Sequence, residues 1–301
     1  MPSKPEMILQ HHSPGLKTEN AVATPAGDGR EFICGWGAAS INILTTFPIN
    51  KVIFRQQLLG ISATTALRDL KAEGMLTLYR GILPPLMQKT VSLSLMFGMY
   101  DKFNKICRQK FTDCPPVLRK TTSAILAGCC EAVLTPFERV QTLLQDKFYH
   151  ERYRNTFHAF RELRNWGFFE YYRGLTPILL RNGPSNAVFF LFRGEIKDLL
   201  PESDRPSVEV LRNFASGAVL GAVISTIFFP LNVVKNRMQR KVGGEFIGCY
   251  KSFLFVYNER NRSLRAVFRG ARFNYMRALI SWGIINASYE FLKSHIYPDI
   301  S

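Results

Sequence analysis

The chain has 301 residues, 47% of them hydrophobic, and a formal net charge of +16. Nucleic acid, an anionic membrane surface or anionic small molecules are the partners that such a charge suggests. The mean hydropathy is close to zero, and no stretch of about 20 residues is purely apolar, as a lipid-spanning helix normally requires. Composition alone therefore argues against an ordinary membrane protein and leaves a soluble basic protein as the first alternative.

Residues 1–29 are polar and rich in Pro, Gly, Ser and Thr, which predicts a disordered N-terminal tail. They contain neither the apolar core of a secretory signal nor the arginine-rich amphipathic pattern of a transit peptide. The six cysteines include no CxxC pair and have no histidine at metal-ligand spacing. We therefore expect reduced thiols and no metal site.

Next along the chain, an apolar segment runs into Pro48 and the polar stretch "FPINKVIFRQQ" at 47–57. Related stretches are "TPFERVQTLLQ" at 135–145 and "FPLNVVKNRMQ" at 229–239. A second motif follows each of them, as "EGMLTLYRG", "WGFFEYYRG" and "RSLRAVFRG", ending at Gly81, Gly174 and Gly270. Two motifs that recur three times in the same order indicate three copies of one unit. We place these units at 30–110, 115–200 and 208–297.

Each unit contains an apolar segment before its proline, an amphipathic link, and a second apolar segment after the "YRG"-type motif. Pairs of small residues lie four positions apart before each proline, namely Gly35 with Ala39, Ser123 with Ala127, and Gly217 with Gly221. Such pairs share one helix face and let helices approach closely in membranes. A helix with one polar stripe can still span a bilayer if the stripe lines a water-filled cavity. Three units of two spans then give six transmembrane helices.

The triplicate motifs, which extend from about residue 30 to the end, resemble those of the mitochondrial carrier family (solute carrier family 25). The resemblance implies an all-α, multi-pass protein of the inner mitochondrial membrane, with six transmembrane helices in pseudo-threefold symmetry around a central cavity. It implies helix kinks at Pro48, Pro136 and Pro230 that bring the following residues together on the matrix side. It also implies a monomer that binds anionic lipid such as cardiolipin at the "YRG"-type motifs and matrix helices.

In that family an acid of one repeat pairs with a lysine of the next and closes a matrix gate. The acid positions are Asn50, Glu138 and Asn232 here, and the lysine positions are Ile53, Gln141 and Lys235. Glu138–Lys235 is then the one full ion pair, and Asn50–Gln141 is at most an amide hydrogen bond. Gln57, Gln145 and Gln239 hold the bracing position in all three repeats. We expect such a gate to open easily, so that the empty carrier can reset without strict exchange. The alternative is that these polar residues only cap and solvate helix ends.

A cytoplasmic gate is implied on the second apolar segments, where the family pattern is aromatic-acid-x-x-base. The third repeat keeps this pattern in full, whereas the first two keep it in part. Asp101 with Lys197 is a plausible pair, unless these residues form ordinary i,i+3 surface pairs. The predicted gate residues are Asp101, Lys197, Glu290 and Lys293.

Substrate contacts in the family lie on the even-numbered helices, one to two turns beyond the "YRG"-type motif. The corresponding positions are Gln88, Arg181 and Arg277, with Lys89 and Asn182 beside them. Basic residues inside an apolar span are costly and usually functional, although a single one can reach an interface by snorkelling. Arginine forks and a lysine charge at one level favour a phosphorylated or carboxylated anion.

Glu131 lies five residues before Pro136 in an otherwise apolar span. An acid there repels an anionic cargo unless the cargo also carries positive charge. NAD⁺ has both a pyrophosphate and a cationic nicotinamide ring, so it suits this combination better than ATP or an oxoacid. The alternative is that Glu131 pairs with a cavity lysine or arginine and tunes it. The charges therefore favour NAD⁺ over those compounds as the cargo, and we expect no bound cofactor.

Other classes of protein fit less well. The chain has no P-loop, no GxGxxG after a strand and no plausible Ser–His–Asp set, which argues against an enzyme. Its basic residues follow the repeat instead of forming one patch, which argues against nucleic acid as a partner. A carrier of another nucleotide-like coenzyme or phosphorylated anion, and a transport-inactive scaffold on the carrier fold, remain as alternatives.

Overall fold

The computed structural model describes residues 29–110, 115–198 and 206–296. Residues 1–28 of the predicted tail lie outside the described residues, whereas Gly29 begins α1. Within the described ranges the chain is helical and contains no strand. The longest elements of the first half are α1 (Gly29–Leu59), α4 (Leu83–Lys110) and α5 (Pro116–Glu131), with the shorter α2 (Ala63–Ala72), α3 (Met75–Leu78), α6 (Thr135–Gln145) and α7 (Thr156–Arg164). The second half contains α8 (Leu175–Asp198), α9 (Pro206–Ile227), α10 (Phe229–Arg240), α11 (Cys249–Glu259), α12 (Leu264–Val267) and α13 (Ala271–Ile296).

The same order of elements recurs in each third of the chain. A long helix leads through the proline motif, short helices follow, and a second long helix begins just after the "YRG"-type motif. The long helices contact one another in ring order, α1–α4–α5–α8–α9–α13 and back to α1. By hydropathy and length, none of the described helices is a membrane span on its own, whereas the bent pair Ala215–Ile227 and Phe229–Arg240 meets both criteria together.

The three prolines differ in how far they interrupt the helix. The axis bends by 60° between α9 and α10, next to Pro230. Before Pro136 the chain narrows to a 3₁₀ segment at Ala132–Leu134. Because proline has no N–H, Pro136 cannot donate to the carbonyl four residues earlier. The Ala132 carbonyl instead accepts from the Thr135 N–H and from the Thr135 hydroxyl at 2.5 Å. In contrast, α1 continues through Pro48 as one helix.

Close helix approach occurs at one small-residue position in particular. A Cβ atom added to Gly128 would lie 2.7 Å from the backbone carbonyl atoms of Asn182, so α5 and α8 are in backbone contact there. Ser123 and Ala127, on the same part of α5, are fully buried. The prediction was wrong for the glycines of the other two pairs, because Gly35, Gly217 and Gly221 have no atom within 4 Å of an added Cβ.

The glycines of the "YRG"-type motifs close the ring on the predicted matrix side. Each has a positive φ, of 90° at Gly81, 84° at Gly174 and 101° at Gly270, which is the region that favours glycine. An added Cβ would meet the proline-motif helix of the following repeat, at 3.1 Å from Leu144, 3.0 Å from Gln239 and 3.1 Å from Gln56, respectively. The third repeat therefore packs back on the first.

The arginines of the same motifs make equivalent connections to the next repeat. Arg80 donates to the His150 carbonyl at 2.6 Å and to the Tyr153 carbonyl. Arg173 donates to the carbonyls of Gly243 at 3.1 Å and Gly244 at 2.9 Å. Arg269 donates to the Gly60 carbonyl. These bonds tie each short-helix layer to its neighbour, which explains why the motif recurs in triplicate.

The contact between the first and second repeats makes stability depend on pH. Burial, followed by the positive charge of Arg80, lowers the pKa of His150 to about 4. The unfolded chain takes up a proton near pH 6.5, whereas the folded chain does not until pH falls near 4. Acidification from pH 7 to 5 therefore favours unfolding. Glu73 titrates in the opposite sense. Burial raises the pKa of its carboxyl group, but Arg55 lowers it below the ordinary value, so the stability that ionised Glu73 contributes is lost only at lower pH.

We expect His150→Gln to reduce this loss of stability, since glutamine does not titrate. Between pH 7 and 5, the melting temperature of the variant in detergent should fall less than that of the parent, by roughly 2 °C for a difference of about 1 kcal/mol. His158→Gln, on α7, is the matched control and should behave like the parent. Equal pH dependence in the parent and His150→Gln would show that His150 does not carry the effect.

Candidate functional site

Glu138 is the centre of a polar cluster on the predicted matrix side. Its Oε2 atom lies 2.9 Å from Lys235 Nζ, and its Oε1 atom lies 3.0 Å from an Arg181 guanidinium nitrogen. Gln88 donates its amide to the same Oε1 atom at 3.3 Å. The proline motif positions Glu138 in the first turn of α6, and α8 and α10 supply the two cations. Two cations, Arg181 and Lys235, therefore contact the Glu138 carboxylate.

Arg181 joins this cluster although the sequence analysis assigned it to cargo binding alone. Besides Glu138, it donates to Asn232 Oδ1 at 2.7 Å and to Asn182 Oδ1 at 2.9 Å. Its guanidinium therefore links the acid positions of the second and third repeats. Sequence reasoning missed this second role because it counted only the residues of the proline motifs.

The first repeat contributes an apolar surface to the predicted matrix gate. Ile53 is buried in a cluster that also contains Phe229, Val233, Val256 and Ala271. Among the hydrogen bonds of the described residues, none joins Asn50 to Gln141, so the expected amide bond is not formed in this conformation. Ile53 packs against the third repeat instead, where the family pattern would place an ion pair.

The three bracing glutamines differ in their partners. Gln57 accepts a hydrogen bond from the Asn236 amide at 2.7 Å, and Gln239 accepts one from the Thr142 hydroxyl at 2.9 Å. Both bonds cross between repeats. Gln145 is also buried, but within the described part of the chain its amide nitrogen has no partner. Two of the three positions therefore brace neighbouring repeats.

The structure does not test the predicted cytoplasmic ion pairs, because the side chains of Lys197, Glu290 and Lys293 lie outside what it describes. Asp101 is described and half-buried. Next to it, Tyr100 stacks on Phe190 with ring centroids 3.7 Å apart, and Phe97 meets Phe190 edge-on at 5.7 Å. Tyr100 is the aromatic residue of the aromatic-acid motif, but no sequence motif indicates that Phe190 on α8 is its partner.

Arg193 completes the aromatic cluster at this end. Its guanidinium carbon lies 5.9 Å from the Phe97 ring centroid and 5.7 Å from that of Phe189. Cation–π contacts at this range are favourable, so Arg193 holds α4 and α8 together. The family pattern places an aromatic residue at this position, where the second repeat has the arginine.

The remaining predicted cavity residues form a separate cluster around Lys89. This lysine is solvent-exposed, yet it lies within electrostatic range of both Glu131 and Arg277. Ser92, one turn further along α4, donates its hydroxyl to Glu131. The structure thus brings Lys89, Glu131 and Arg277 together in a space that water can enter.

Arg277 is held on α13 by a polar neighbour. It donates to Asn274 Oδ1 at 3.4 Å, and Asn274 in turn donates to Ser225 at 3.1 Å. The Arg277 Nε atom is buried and, among the described residues, has no hydrogen-bond partner. Arg277 as a whole is partly exposed, so an anion can contact the outer part of its guanidinium.

This combination of fold and site places the chain in a known class. The family model described as "Mitochondrial carrier protein" matches residues 28–111, 114–204 and 206–299. The chain belongs to the mitochondrial carrier family, and it is therefore a transport protein of the inner mitochondrial membrane and not an enzyme. The predicted six-helix, three-repeat fold class is confirmed.

Three individual members of the family are similar to this chain over most of its length. The "Mitochondrial nicotinamide adenine dinucleotide transporter SLC25A51" of Mus musculus is 48% identical over 283 residues, which cover 93% of this chain and 95% of the relative. The Homo sapiens protein of the same name is 50% identical over 269 residues, 89% of this chain and 90% of the relative. The "Mitochondrial 2-oxodicarboxylate carrier" of Rattus norvegicus is 29% identical over 280 residues, 87% of this chain and 93% of the relative.

Proposed function

We propose that this carrier imports NAD⁺ into the mitochondrial matrix. The observation that carries the proposal is the identity of 48% and 50%, over about nine-tenths of the chain, to relatives named as NAD transporters. The cavity supports it, because its charges include both signs. We propose NAD⁺ as the cargo of the carrier and propose no resident cofactor.

The cavity charges match the two charged parts of NAD⁺, its central pyrophosphate and its nicotinamide ring. Lys89 and Arg277 supply a point charge and a planar fork for the pyrophosphate, with Arg181 one level nearer to the gate. Glu131 lies close enough to Lys89 to attract it, and its carboxylate can also face the cationic nicotinamide ring. Gln88 and Asn182 both contact the Glu138–Arg181 cluster, which supports our proposal that they belong to the inner end of the cargo site.

Transport by this arrangement requires alternating access and no covalent step. We infer that the contacts of Glu138 with Arg181 and Lys235 close the matrix gate in the described conformation, so that cargo enters from the cytoplasmic side. Binding free energy then offsets the cost of separating Glu138 from its cations while the cytoplasmic gate forms. We propose that the second gate consists of Asp101, Lys197, Glu290 and Lys293. The repeats that move relative to one another during transport are the units 30–110, 115–200 and 208–297.

We also propose that the carrier works as a monomer with cardiolipin at its matrix edge. A cavity of about 540 Å³ lies between the second and third repeats, lined by Phe246, Ile247, Phe255 and the basic side chains Lys241 and Lys251 among others. Apolar walls next to exposed lysines suit the acyl chains and phosphates of an anionic lipid. Arg173, from the "YRG"-type motif, is part of the same lining.

Competition for cargo tests the assignment. Liposomes containing the purified protein should take up labelled NAD⁺, and excess unlabelled NAD⁺ should abolish the uptake. ATP and a 2-oxodicarboxylate, which lack a cationic ring, should compete at least about tenfold less well. Stronger competition by another coenzyme or phosphate ester would identify that compound as the cargo instead. Absence of uptake with every compound would support the transport-inactive scaffold.

A further inference from the structure

The adenine base of NAD⁺ needs a different environment from the charged parts of the cargo. Lys89 and Arg277 suit the pyrophosphate, and Glu131 suits the nicotinamide ring, but none of these side chains offers a flat apolar surface. Adenine is aromatic and uncharged at neutral pH, so it binds by stacking on aromatic rings and by hydrogen bonds to its ring nitrogens. A ribose separates the base from the pyrophosphate. The base must therefore lie further along the cavity than the level of Lys89 and Arg277.

Aromatic residues follow Lys89 along α4, in the direction of the predicted cytoplasmic gate. Phe97 and Tyr100 are eight and eleven residues after Lys89, and α4 is continuous from Leu83 to Lys110. At 1.5 Å per residue, these intervals correspond to about 12 Å and 17 Å along the helix axis. Eleven residues make about three full turns, so Tyr100 lies on the same face of α4 as Lys89. That face borders the proposed cargo cavity.

Rings from α8 complete a cluster with these two residues. The Tyr100 and Phe190 rings are parallel to within 1°, with centroids 3.7 Å apart. Phe97 and Phe189 each meet Phe190 edge-on, at centroid distances of 5.7 Å and 5.5 Å. All four residues are only half-buried, so part of their aromatic surface remains open to a ligand.

Arg193 supplies an unused hydrogen-bond donor to this cluster. Its guanidinium carbon lies 5.9 Å from the Phe97 ring centroid and 5.7 Å from that of Phe189. Its Nη1 atom is buried and has no hydrogen-bond partner among the described residues. A buried donor without an acceptor costs free energy, and adenine carries acceptor nitrogens at its edge. Arg193 and Phe97 thus present a donor and an aromatic ring side by side, as recognition of a base requires.

We propose that Phe97, Phe190 and Arg193 form the adenine subsite of the cargo cavity. The base stacks on the exposed surface of the Phe97–Phe190 pair, and its ring nitrogens supply the acceptor that Arg193 lacks. This inference rests on the proposed function for the identity of the cargo and adds a requirement to it. A compound without the base has to bind less tightly, even if it keeps the pyrophosphate and the nicotinamide ring.

An analogue of NAD⁺ without the base isolates this contact. In the analogue a hydroxyl group replaces adenine, so both phosphates and the nicotinamide ring are retained. The affinity of the purified carrier for NAD⁺ and for the base-free analogue is measured from the rise in melting temperature with ligand concentration. We expect the parent to bind NAD⁺ at least about tenfold more tightly, since stacking of one base on aromatic side chains accounts for a factor of that order.

Arg193→Gln and Phe97→Leu test the two parts of the subsite. Each should reduce the preference for NAD⁺ over the base-free analogue by about fivefold or more and leave the affinity for the analogue unchanged. Arg108→Gln removes an exposed cation from the last turn of α4, so it is the matched control and should keep the parental preference. If Arg193→Gln does not fold, Phe97→Leu decides alone, because leucine keeps an apolar side chain and removes only the aromatic face.

Two results would overturn the subsite. One is equal affinity of the parent for NAD⁺ and the base-free analogue. The other is an equal loss of affinity for both ligands in Arg193→Gln and Phe97→Leu, because it would assign these residues to phosphate binding or to the packing of α4 on α8.

Uptake of labelled NAD⁺ by liposomes separates this inference from the cargo assignment. If the protein prefers NAD⁺ to the base-free analogue but liposomes that contain it take up no NAD⁺, the subsite is supported and the proposed function is wrong. If the liposomes take up NAD⁺ but its affinity does not depend on the base, the proposed function is supported and the subsite is wrong. Absence of NAD⁺ binding to the purified protein contradicts both.

Discussion

Replacement of Lys89 or Arg277 by alanine is expected to reduce NAD⁺ uptake by about 10- to 100-fold without unfolding the carrier. Each residue supplies positive charge to the proposed pyrophosphate site, and hydrogen bonds to charged groups contribute about 1.5–3 kcal/mol. Since 1.4 kcal/mol corresponds to about a factor of ten, the loss of either contact should be large. Initial uptake rates in proteoliposomes at low NAD⁺ concentration measure it.

Matched controls lie on the same helices. Lys102→Ala alters an exposed lysine on α4, and Arg272→Ala alters an exposed arginine on α13, so both should retain uptake close to that of the parent. Thermal melting shows whether each variant is folded. Parental uptake rates in both Lys89→Ala and Arg277→Ala would remove these residues from the cargo site.

Gly128→Ala is expected to destabilise the carrier, whereas the same change at Gly217 should not. The added Cβ at Gly128 would lie 2.7 Å from the Asn182 backbone and 2.8 Å from Gly183 nitrogen, and backbone cannot rotate away as a side chain can. Overpacking of this kind typically costs about 1–3 kcal/mol. At Gly217 the added Cβ meets nothing within 4 Å, and alanine is the better helix former.

The melting temperatures of the two variants in the same detergent test this contrast. We expect a lower value than the parent for Gly128→Ala and an equal or slightly higher value for Gly217→Ala. A Gly128→Ala variant as stable as the parent would mean that α5 and α8 can separate at no cost. Such a result would contradict the close packing that the structure shows at this position.

The repeat made much of this fold predictable from the sequence. Pro48, Pro136 and Pro230 recur at nearly constant spacing, and each is followed by short helices and a second long helix, as expected. What the repeat could not predict is which small-residue face meets a neighbour. Helical spacing places Gly35 and Gly217 on one face of their own helices, but the packing partner depends on how the ring closes.

The candidate site was predictable to a similar degree. The proline motifs indicated Glu138 and Lys235, and the cavity positions indicated Lys89, Arg277 and Glu131. The contact between Arg181 and Glu138 was not predictable, because it joins a cavity position to a gate position across two helices. Arginine is long enough to serve both levels, and no sequence spacing records which level it contacts in a given conformation.

The predicted matrix gate combines two kinds of interaction. Between the second and third repeats, Glu138, Arg181 and Lys235 form a charged cluster, whereas the first repeat meets the third through Ile53 and Phe229. Apolar contacts are non-directional, but an ion pair has to be replaced when it is broken. The ion pairs of the predicted gate that the structure describes are therefore concentrated between the second and third repeats.

Uptake of labelled NAD⁺ by the purified protein tests the central claim most directly. Liposomes that contain cardiolipin are reconstituted with the carrier, and uptake over time is compared with that of protein-free liposomes and of the double variant Lys89→Ala/Arg277→Ala. We expect saturable NAD⁺ uptake by the parent alone. No NAD⁺ uptake above the protein-free level, together with uptake of a 2-oxodicarboxylate by the same liposomes, would contradict the proposed function.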